Sequence, residues 1–338
     1  MRVPVVSKTG KPLMPCHPAR ARELVRKGAA VRRFNRGLFY IKLTVREDGN
    51  VQPAAIGIDP GSKKEGITVK SEAHTYLNIQ ADAVTWVQKA VKTRSQMRRG
   101  RRFRKTPCRA NRKNRARGNL PPSTKARWQW KLRICRWLAK LYPVACFVVE
   151  DIKAVTKGKR RWDVSFSPLQ VGKEWFYSGL EKLAPVETKQ GYETKELREA
   201  HGLKKTSRKL AEVFEAHCVD SWVLANSYTG GHTEPDNKQL LCVSPLRFHR
   251  RQLHRLQPEA GGIRERYGGT LSHGFKRGSL VKHLKLGVTY VGGYLRDRIS
   301  LHSITDGKRL CTNAKPKDVK FLAYNTWRTR FLPLLASA

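Results

Sequence analysis

The sequence predicts an α/β layer fold that carries strongly basic inserts, and three observations predict it. An apolar run, Ala54-Ala55-Ile56-Gly57-Ile58, ends in Asp59-Pro60-Gly61-Ser62, which reads as a strand closed by an acid and a tight turn. Between Ser123 and Tyr142, Trp130, Ile134, Trp137, Leu138 and Leu141 recur at helical spacing, and Pro143 follows; Val144 to Val149 is then the unbroken apolar run of a strand buried on both faces. Strand, helix and strand in series make an α/β layer. The third observation is charge: 69 Lys and Arg against 26 Asp and Glu give +43, whereas hydrophobic residues still make up 39% of the chain. With 8 Trp, 11 Phe and 10 Tyr, this is a folded body and not a disordered tail.

The elements follow in order. Residues 1–50 form a small module. In it Pro12 to Pro15 is a rigid extended segment, Pro18 opens a helix that runs to Gly28, and Val31–Phe34 and Leu38–Val45 flank a hairpin-like Asn35-Arg36-Gly37 turn. Residues 51–80 hold the strand ending at Asp59 and a hairpin partner, Gly66 to Val69. From Gln80 the pattern turns helical through Val84, Val87 and Val91. Residues 81–120 are dominated by Arg94 to Arg117, where twelve of twenty-four residues are basic and none is acidic. Such a run cannot fold on itself, and pairing with phosphate relieves it. Residues 121–205 carry the helix, capped by Ser123 or Thr124, the buried strand ending in Glu150-Asp151, and a mixed segment. Residues 206–230 hold a helix from about Ser207 through Leu210, Val213, Phe214, His217, Asp220 and Leu224. Residues 231–338 read as a basic, β-rich module with strands in Leu280–Leu286 and Gly287–Ile299.

Charge of this sign excludes an ordinary metabolic enzyme and points to a polyanion, because each phosphate neutralised releases condensed counterions. The seven cysteines include no CxxC pair, so neither a disulfide frame nor a zinc ribbon is expected. The amino terminus has too short an apolar run for a signal peptide, and no stretch approaches the ~18 apolar residues of a membrane span, which predicts a soluble, intracellular chain. Trp128, Trp130, Trp137, Trp162 and Trp175 could stack on bases, but core packing suits most of them better. His249 and His254 beside Arg247, Arg250 and Arg251 read as a solvated basic face.

Three acids stand where strands or helices meet charge: Asp59, Glu150 and Asp220. Each alone could be a turn residue or a solvated element end. Together they suit Mg²⁺, which takes oxygen ligands; two such ions can activate a water and stabilise the leaving oxygen of a phosphodiester. His217 and Asp220 lie three apart and share a helix face, which fits either a half-buried polar pair or a metal ligand beside a proton acceptor.

Ile56 to Ser62, Phe147 to Asp151 and Ala216-His217-Cys218-Val219-Asp220 resemble the three split RuvC motifs of an RNase H-like nuclease core. Lys11 to Cys16 resembles the PLMP module of the IscB and IsrB family of transposon-encoded, RNA-guided proteins, and Arg94 to Arg117 is similar to that family's arginine-rich bridge helix. The interval Ile152–Ala216 holds one histidine, His201, which leaves no room for the HNH nuclease of IscB, so the resemblance is to the IsrB branch.

The resemblance implies an RNA-guided DNA nickase that cuts the displaced strand. Asp59, Glu150 and Asp220 would bind two Mg²⁺, or Mn²⁺, without zinc, and His217 would be the general base or a metal-proximal histidine. Arg94, Arg98, Arg99, Arg101, Arg102, Arg104, Lys105, Arg109, Arg112, Lys113 and Arg115 would grip nucleic acid. Its partners would be a guide RNA and duplex DNA with a short adjacent motif contacted by residues 231–338. The protein would act as a monomer in a cytoplasmic, prokaryotic ribonucleoprotein. A transposase with the same core, or a basic RNA-binding protein without nuclease activity, is the alternative.

Overall fold

The computed structural model describes residues 2–105, 120, 122–151, 172–246, 256–257, 262–263 and 271–332. It is a mixed α/β protein that divides into two compact units. Unit 1 comprises residues 1–32, 40–242 and 332–338; unit 2 comprises residues 33–39 and 243–331.

Unit 1 opens with β1 (Val3–Val6), β2 (Pro12–Cys16) and α1 (Pro18–Arg26). Pro18 occupies the first turn of α1, where its missing N–H costs no hydrogen bond, and the His17 ring caps the helix by accepting from the Ala19 amide. β3 (Ala30–Asn35) and β4 (Leu38–Leu43) follow, and β1 runs parallel to β4 with Val5 opposite Ile41.

The large sheet is built from β5 (Ala54–Asp59), β6 (Lys64–Ser71), β7 (Thr75–Asp82), β8 (Val144–Asp151), β9 (Val186–Gln190) and β10 (Leu240–Pro245), in the order β10-β7-β6-β5-β8-β9. β5, β6 and β7 form an antiparallel meander, and β8 and β9 are added in parallel beside β5. The helices are α2 (Trp86–Phe103), α3 (Pro122–Leu138), α4 (Lys173–Glu181), α5 (Gly191–Ala200) and α6 (Phe214–Thr229).

Alternation along the strands assigns the helices to faces. Gly57 and Gly66 face α6: a Cβ on Gly57 would lie 1.8 Å from the Ser221 carbonyl oxygen, and one on Gly66 would lie 2.2 Å from that of His217. Glu65 points the other way, and its carboxylate accepts from Lys131 Nζ of α3 at 2.6 Å, with both side chains essentially sealed from water. α4 lies on the α3 side, where Phe176 stacks on Trp128 with ring centroids 5.1 Å apart. The sheet is thus the middle of three layers, and Trp128, Trp130 and Trp137 are core residues, each no more than 3% exposed. Trp175 is half-buried beneath Lys125, while Trp162 lies outside the described residues.

Several boundaries differ from the sequence reading. The chain stays extended through Asp82 as β7, and the helix begins only at Trp86. Leu77, Ile79 and Ala81 alternate with Asn78, Gln80 and Asp82 at the period of a strand, a pattern that the helical spacing read from Gln80 onward cuts across; both faces are buried. Ser123 and Thr124 lie inside α3 rather than capping it, and Leu141 lies beyond its end. The helix expected from Ser207 starts at Phe214, because residues 201–213 form an irregular strap whose carbonyls serve other partners.

In unit 2 the two-residue strands β11 (Leu256–Gln257) and β12 (Gly262–Ile263) pair, as do β13 (Leu271–Ser272) and β14 (Phe275–Lys276). β15 (Ser279–His283), β16 (Gly287–Leu295), β17 (Arg298–His302), β18 (Arg309–Ala314) and β19 (Val319–Tyr324) form an antiparallel sheet over a core of Val281, Val291, Ile299 and Leu301. β20 (Trp327–Phe331) ends the unit, with the Arg36 guanidinium over the Trp327 ring. His249, His254, Arg247, Arg250 and Arg251 lie outside the described residues.

Two glycine substitutions separate close packing from helix propensity. Gly57→Ala should cost at least ~3 kcal/mol by chemical denaturation, because the helix backbone cannot yield as a flexible side chain would. Gly100→Ala, on the exposed part of α2 with only Arg104 Nη2 at 3.9 Å, should instead stabilise by ~0.5–1 kcal/mol.

Candidate active site

Asp59 ends β5 and Glu150 lies one residue before the end of β8. The parallel register pairs Ile58 with Val149, so the next residues, Asp59 and Glu150, lie side by side. Glu150 and Asp151 point to opposite faces. Asp151 turns to the α4 side, where Lys173 Nζ (2.7 Å) and the Tyr177 hydroxyl (3.0 Å) donate to it, and this removes it from the site. α6 supplies the remaining groups. His217 Nδ1 lies 3.2 Å from Asp59 Oδ2, and Asp220, one helical turn on, is 1% exposed. The structure therefore brings together all four residues expected from the sequence.

Two cations that the sequence reading did not single out complete the cluster. Arg198 of α5 donates from Nη1 to Asp220 Oδ1 at 2.6 Å. Lys205, on the strap, donates to Asp220 Oδ2 and stands 3.9 Å from Asp59 Oδ2. Neither carries a local motif in a chain with 69 Lys and Arg; only the fold singles them out. The buried Glu65–Lys131 pair on the other face was likewise invisible. Burial holds the Glu65 carboxyl above its ordinary value, against the opposing charge of Lys131.

The electrostatics of the acids diverge. Burial pushes Glu150 up to about 8, and the neighbouring Asp59 and Asp220 carboxylates add to the rise. Burial also acts to raise Asp59, but the hydrogen bond with His217 and the Lys205 charge outweigh it and hold Asp59 below the usual carboxylate range. The two environments thus pull the carboxyls apart, favouring the protonated form at Glu150 and the ionised form at Asp59. The His217 ring is fixed at both nitrogens. Nε2 donates to the Lys209 carbonyl, which can only accept, at 2.9 Å, and Nδ1 faces Asp59 Oδ2 at 3.2 Å, the contact through which the ring holds Asp59 low.

Carboxylate oxygens are the donor set a hard divalent cation uses, and the raised Glu150 carboxyl reflects its burial beside the other two acids. Among the described residues no group of three or more His, Cys, Asp and Glu is arranged to hold a metal, and Arg198 and Lys205 pair with Asp220. The donors fit a metal by chemistry, and Asp220 must exchange a partner to ligate one.

α2 presents a second, distinct feature. Its eighteen residues carry seven Lys and Arg and no acid; Arg94, Arg98, Arg99 and Arg102 are exposed and Arg101 is half-buried. Arg98 follows Arg94, and Arg102 follows Arg98, at the i,i+4 spacing that sets like charges against each other. The helix stops at Phe103, shorter than the basic run. Arg104 and Lys105 are exposed just beyond it, with Lys105 in the left-handed region at φ 51°. Arg109, Arg112, Lys113 and Arg115 lie outside the described residues.

Residues 3–161 match the family model described as RRXRR protein. Arg98-Arg99-Gly100-Arg101-Arg102 of α2 has the form of that name. Among solved structures, T. thermophilus RuvC in complex with Holliday junction substrate is similar at 13% identity, covering 53% of this chain and 98% of that one, with a TM-score of 0.29. A further Thermus thermophilus RuvC structure is similar at 14% identity, with 51% and 90% coverage and a TM-score of 0.28. No curated protein matches the chain. No helix among the described residues is long and apolar enough to cross a membrane.

The raised Glu150 gives a signed pH dependence in EDTA. Its folded value, about 8, exceeds the ordinary 4.5, so the folded state holds a proton that the unfolded state has lost. That penalty is absent below pH ~4.5, grows as the pH rises and is complete above ~8. Glu150→Gln removes it, so the melting temperature of the variant minus that of the wild type should increase between pH 5 and 8 and then level off. A difference that is flat across this range would contradict the raised Glu150 carboxyl.

Proposed function

We propose that the protein is an RNA-guided DNA nickase whose cutting site is the Asp59–Glu150–Asp220 cluster beside His217. The observation that carries this reading is the convergence of two buried carboxylates, Asp59 of β5 and Asp220 of α6, with the half-buried Glu150 of β8 on one side of the sheet. In a chain with only 26 acids against 69 bases, such a cluster suits a cation that works on phosphate. The match of residues 3–161 supports the placement, because that family model is found in proteins of the IscB and IsrB type. The likeness of the sequence to the split RuvC motifs supports an RNase H-like core.

Asp59, Glu150 and Asp220 would hold the divalent cations. Bound there, such ions supply Lewis acidity toward a scissile phosphate and a nucleophilic water at neutral pH. The chain's own groups define the rest. Glu150 would hold such an ion as the carboxylate, its proton passing to solvent. With Asp59 drawn away from the ring by a cation, His217 Nδ1 would be open to accept the proton of the attacking water. The Lys209 carbonyl holds the ring so that Nδ1 keeps this orientation.

The exposed arginines of α2 bind guide-RNA phosphate, and residues 231–338 contact the duplex beside the target. Base pairing then reads sequence, and the protein reads backbone shape. A single nuclease centre leaves the guide-paired strand intact.

The test is a strand-resolved cleavage assay with the full-length protein, its co-expressed guide RNA, Mg²⁺ and a matched duplex labelled differently on each strand. A nick confined to the displaced strand is expected, and Asp59→Ala should abolish it while guide-RNA affinity stays within about twofold. Undiminished nicking by that variant would overturn the site, cutting of both strands would reveal a second centre, and guided binding without cutting by the wild type would favour a non-nuclease RNA-guided role.

The basic helix has its own readout. Charge reversal of Arg98, Arg101 and Arg102 to Glu should weaken guide-RNA binding and reduce the slope of log K against log salt by ~2–3, at ~0.7–0.9 for each phosphate that is no longer neutralised. An unchanged slope would remove α2 from the interface.

A further inference from the structure

The strap between α5 and α6, residues 201–213, is pinned at its backbone. The Leu203 amide donates to the Arg198 carbonyl (3.0 Å), the Thr206 amide donates to the Glu215 carbonyl (3.0 Å), and the Lys209 and Ala211 carbonyls accept from His217 Nε2 (2.9 Å) and Gln80 Nε2 (2.8 Å). Between the first two anchors stands Lys205. Its ammonium reaches Asp220 and lies within 4 Å of Asp59, so it bridges two of the three acids.

The two cations at Asp220 differ in how they are held. Arg198 projects from a regular helix, its side chain 16% exposed, and engages one carboxylate oxygen. Lys205 projects from the irregular strap on a flexible four-carbon stem, its side chain 30% exposed, and engages the other. Rotation of that stem alone would carry the ammonium into water and free the Asp220 oxygen it engages. Arg198 would remain to orient the carboxylate.

We propose that Lys205 is a tethered counter-ion that occupies the cation position between Asp220 and Asp59 in the metal-free protein and competes with divalent metal for these carboxylates. This rests on the metal-site reading of the cluster and adds a positioning residue to it. The pinned strap keeps the site neutralised and folded without metal, and metal entry requires the movement of one side chain. Removing the lysine leaves the acids with one positive charge fewer, which favours the incoming ion. At ~4 Å and the effective dielectric of a partly buried pair, a unit charge is worth more than a factor of ten in affinity, even after screening.

The experiment titrates the metal-free, full-length protein with Mn²⁺, following free Mn²⁺ by electron paramagnetic resonance, and uses Asp59→Ala to identify the binding that belongs to this site. Lys205→Gln should tighten the Asp59-dependent binding by at least ~10-fold, whereas Lys205→Arg, which keeps the charge, should bind no tighter than wild type. Equal affinities in wild type and Lys205→Gln would overturn the counter-ion role while leaving the metal site standing. An absence of Asp59-dependent binding in both would overturn the metal site and this inference with it. Should Lys205→Gln fail to fold, acetylation of the wild type, read at the Lys205 peptide by mass spectrometry, gives the same answer. Labelling should rise several-fold when Mn²⁺ saturates the site, and constant labelling under saturation would overturn the proposal.

Discussion

The approach of α6 to the sheet is the constraint on which the site depends. Side chains beneath α6 would hold it off the sheet and draw apart the acids on strand and helix. Gly57 and Gly66, on the neighbouring strands β5 and β6, remove the side chains beneath α6, so that the Ser221 and His217 carbonyls settle where two Cβ atoms would otherwise be. His217 is thereby brought within 3.2 Å of Asp59, and Asp220 follows one turn later on the same helix face. The helix has almost no polar surface: from Phe214 to Asn226 every side chain except Glu215 is buried, which is how a segment with two titratable residues at its centre can be held this deeply. The three-layer arrangement supplies the rest of its surroundings.

Close approach has an electrostatic consequence. Acids drawn together out of water must be neutralised, and this site shows three responses: the raised Glu150 carboxyl, the hydrogen bond between His217 and Asp59, and the cations Arg198 and Lys205 on Asp220. All are weaker solutions than a divalent ion, because a buried charge whose partner is imperfect still bears a desolvation cost. The surface has the opposite problem. α2 carries like charges at adjacent helical turns and no acid of its own, a surface suited to phosphate. The carboxylate cluster and the basic helix are the two charge features on which the proposed cutting of one nucleic acid and holding of another would draw.

Much of this was legible in the sequence because it depends on patterns that burial imposes locally. The continuous apolar runs of β5 and β8 announced buried strands, and the acids that end them announced the site. Pro18 marked the start of α1, and His217 and Asp220 shared a face by spacing alone. What was hidden depends on tertiary partners. β7 alternates Leu77, Ile79 and Ala81 with Asn78, Gln80 and Asp82, yet its polar face is buried too, because Asn78 and Gln80 donate to carbonyls of Asn237 and Ala211 more than a hundred residues away, and that burial had no local sign. Leu210 and Val213 fall at helical spacing with Phe214 and His217 and suggested an early helix start, but the strap spends its carbonyls on His217 and Gln80 and cannot be helical there. Arg198 and Lys205 carry no motif, and their significance exists only because α5 and the strap fold back onto Asp220.

The decisive measurement is a crystal structure of the full-length protein soaked in Mn²⁺, with diffraction recorded at the manganese absorption edge so that each ion is located independently of the protein phases. Anomalous density is expected between Asp59 and Glu150 and beside Asp220, with α6 still seated on Gly57 and Gly66. Density confined to other sites, with the three carboxylates unligated at saturating Mn²⁺, would contradict a metal-dependent cutting site at this cluster.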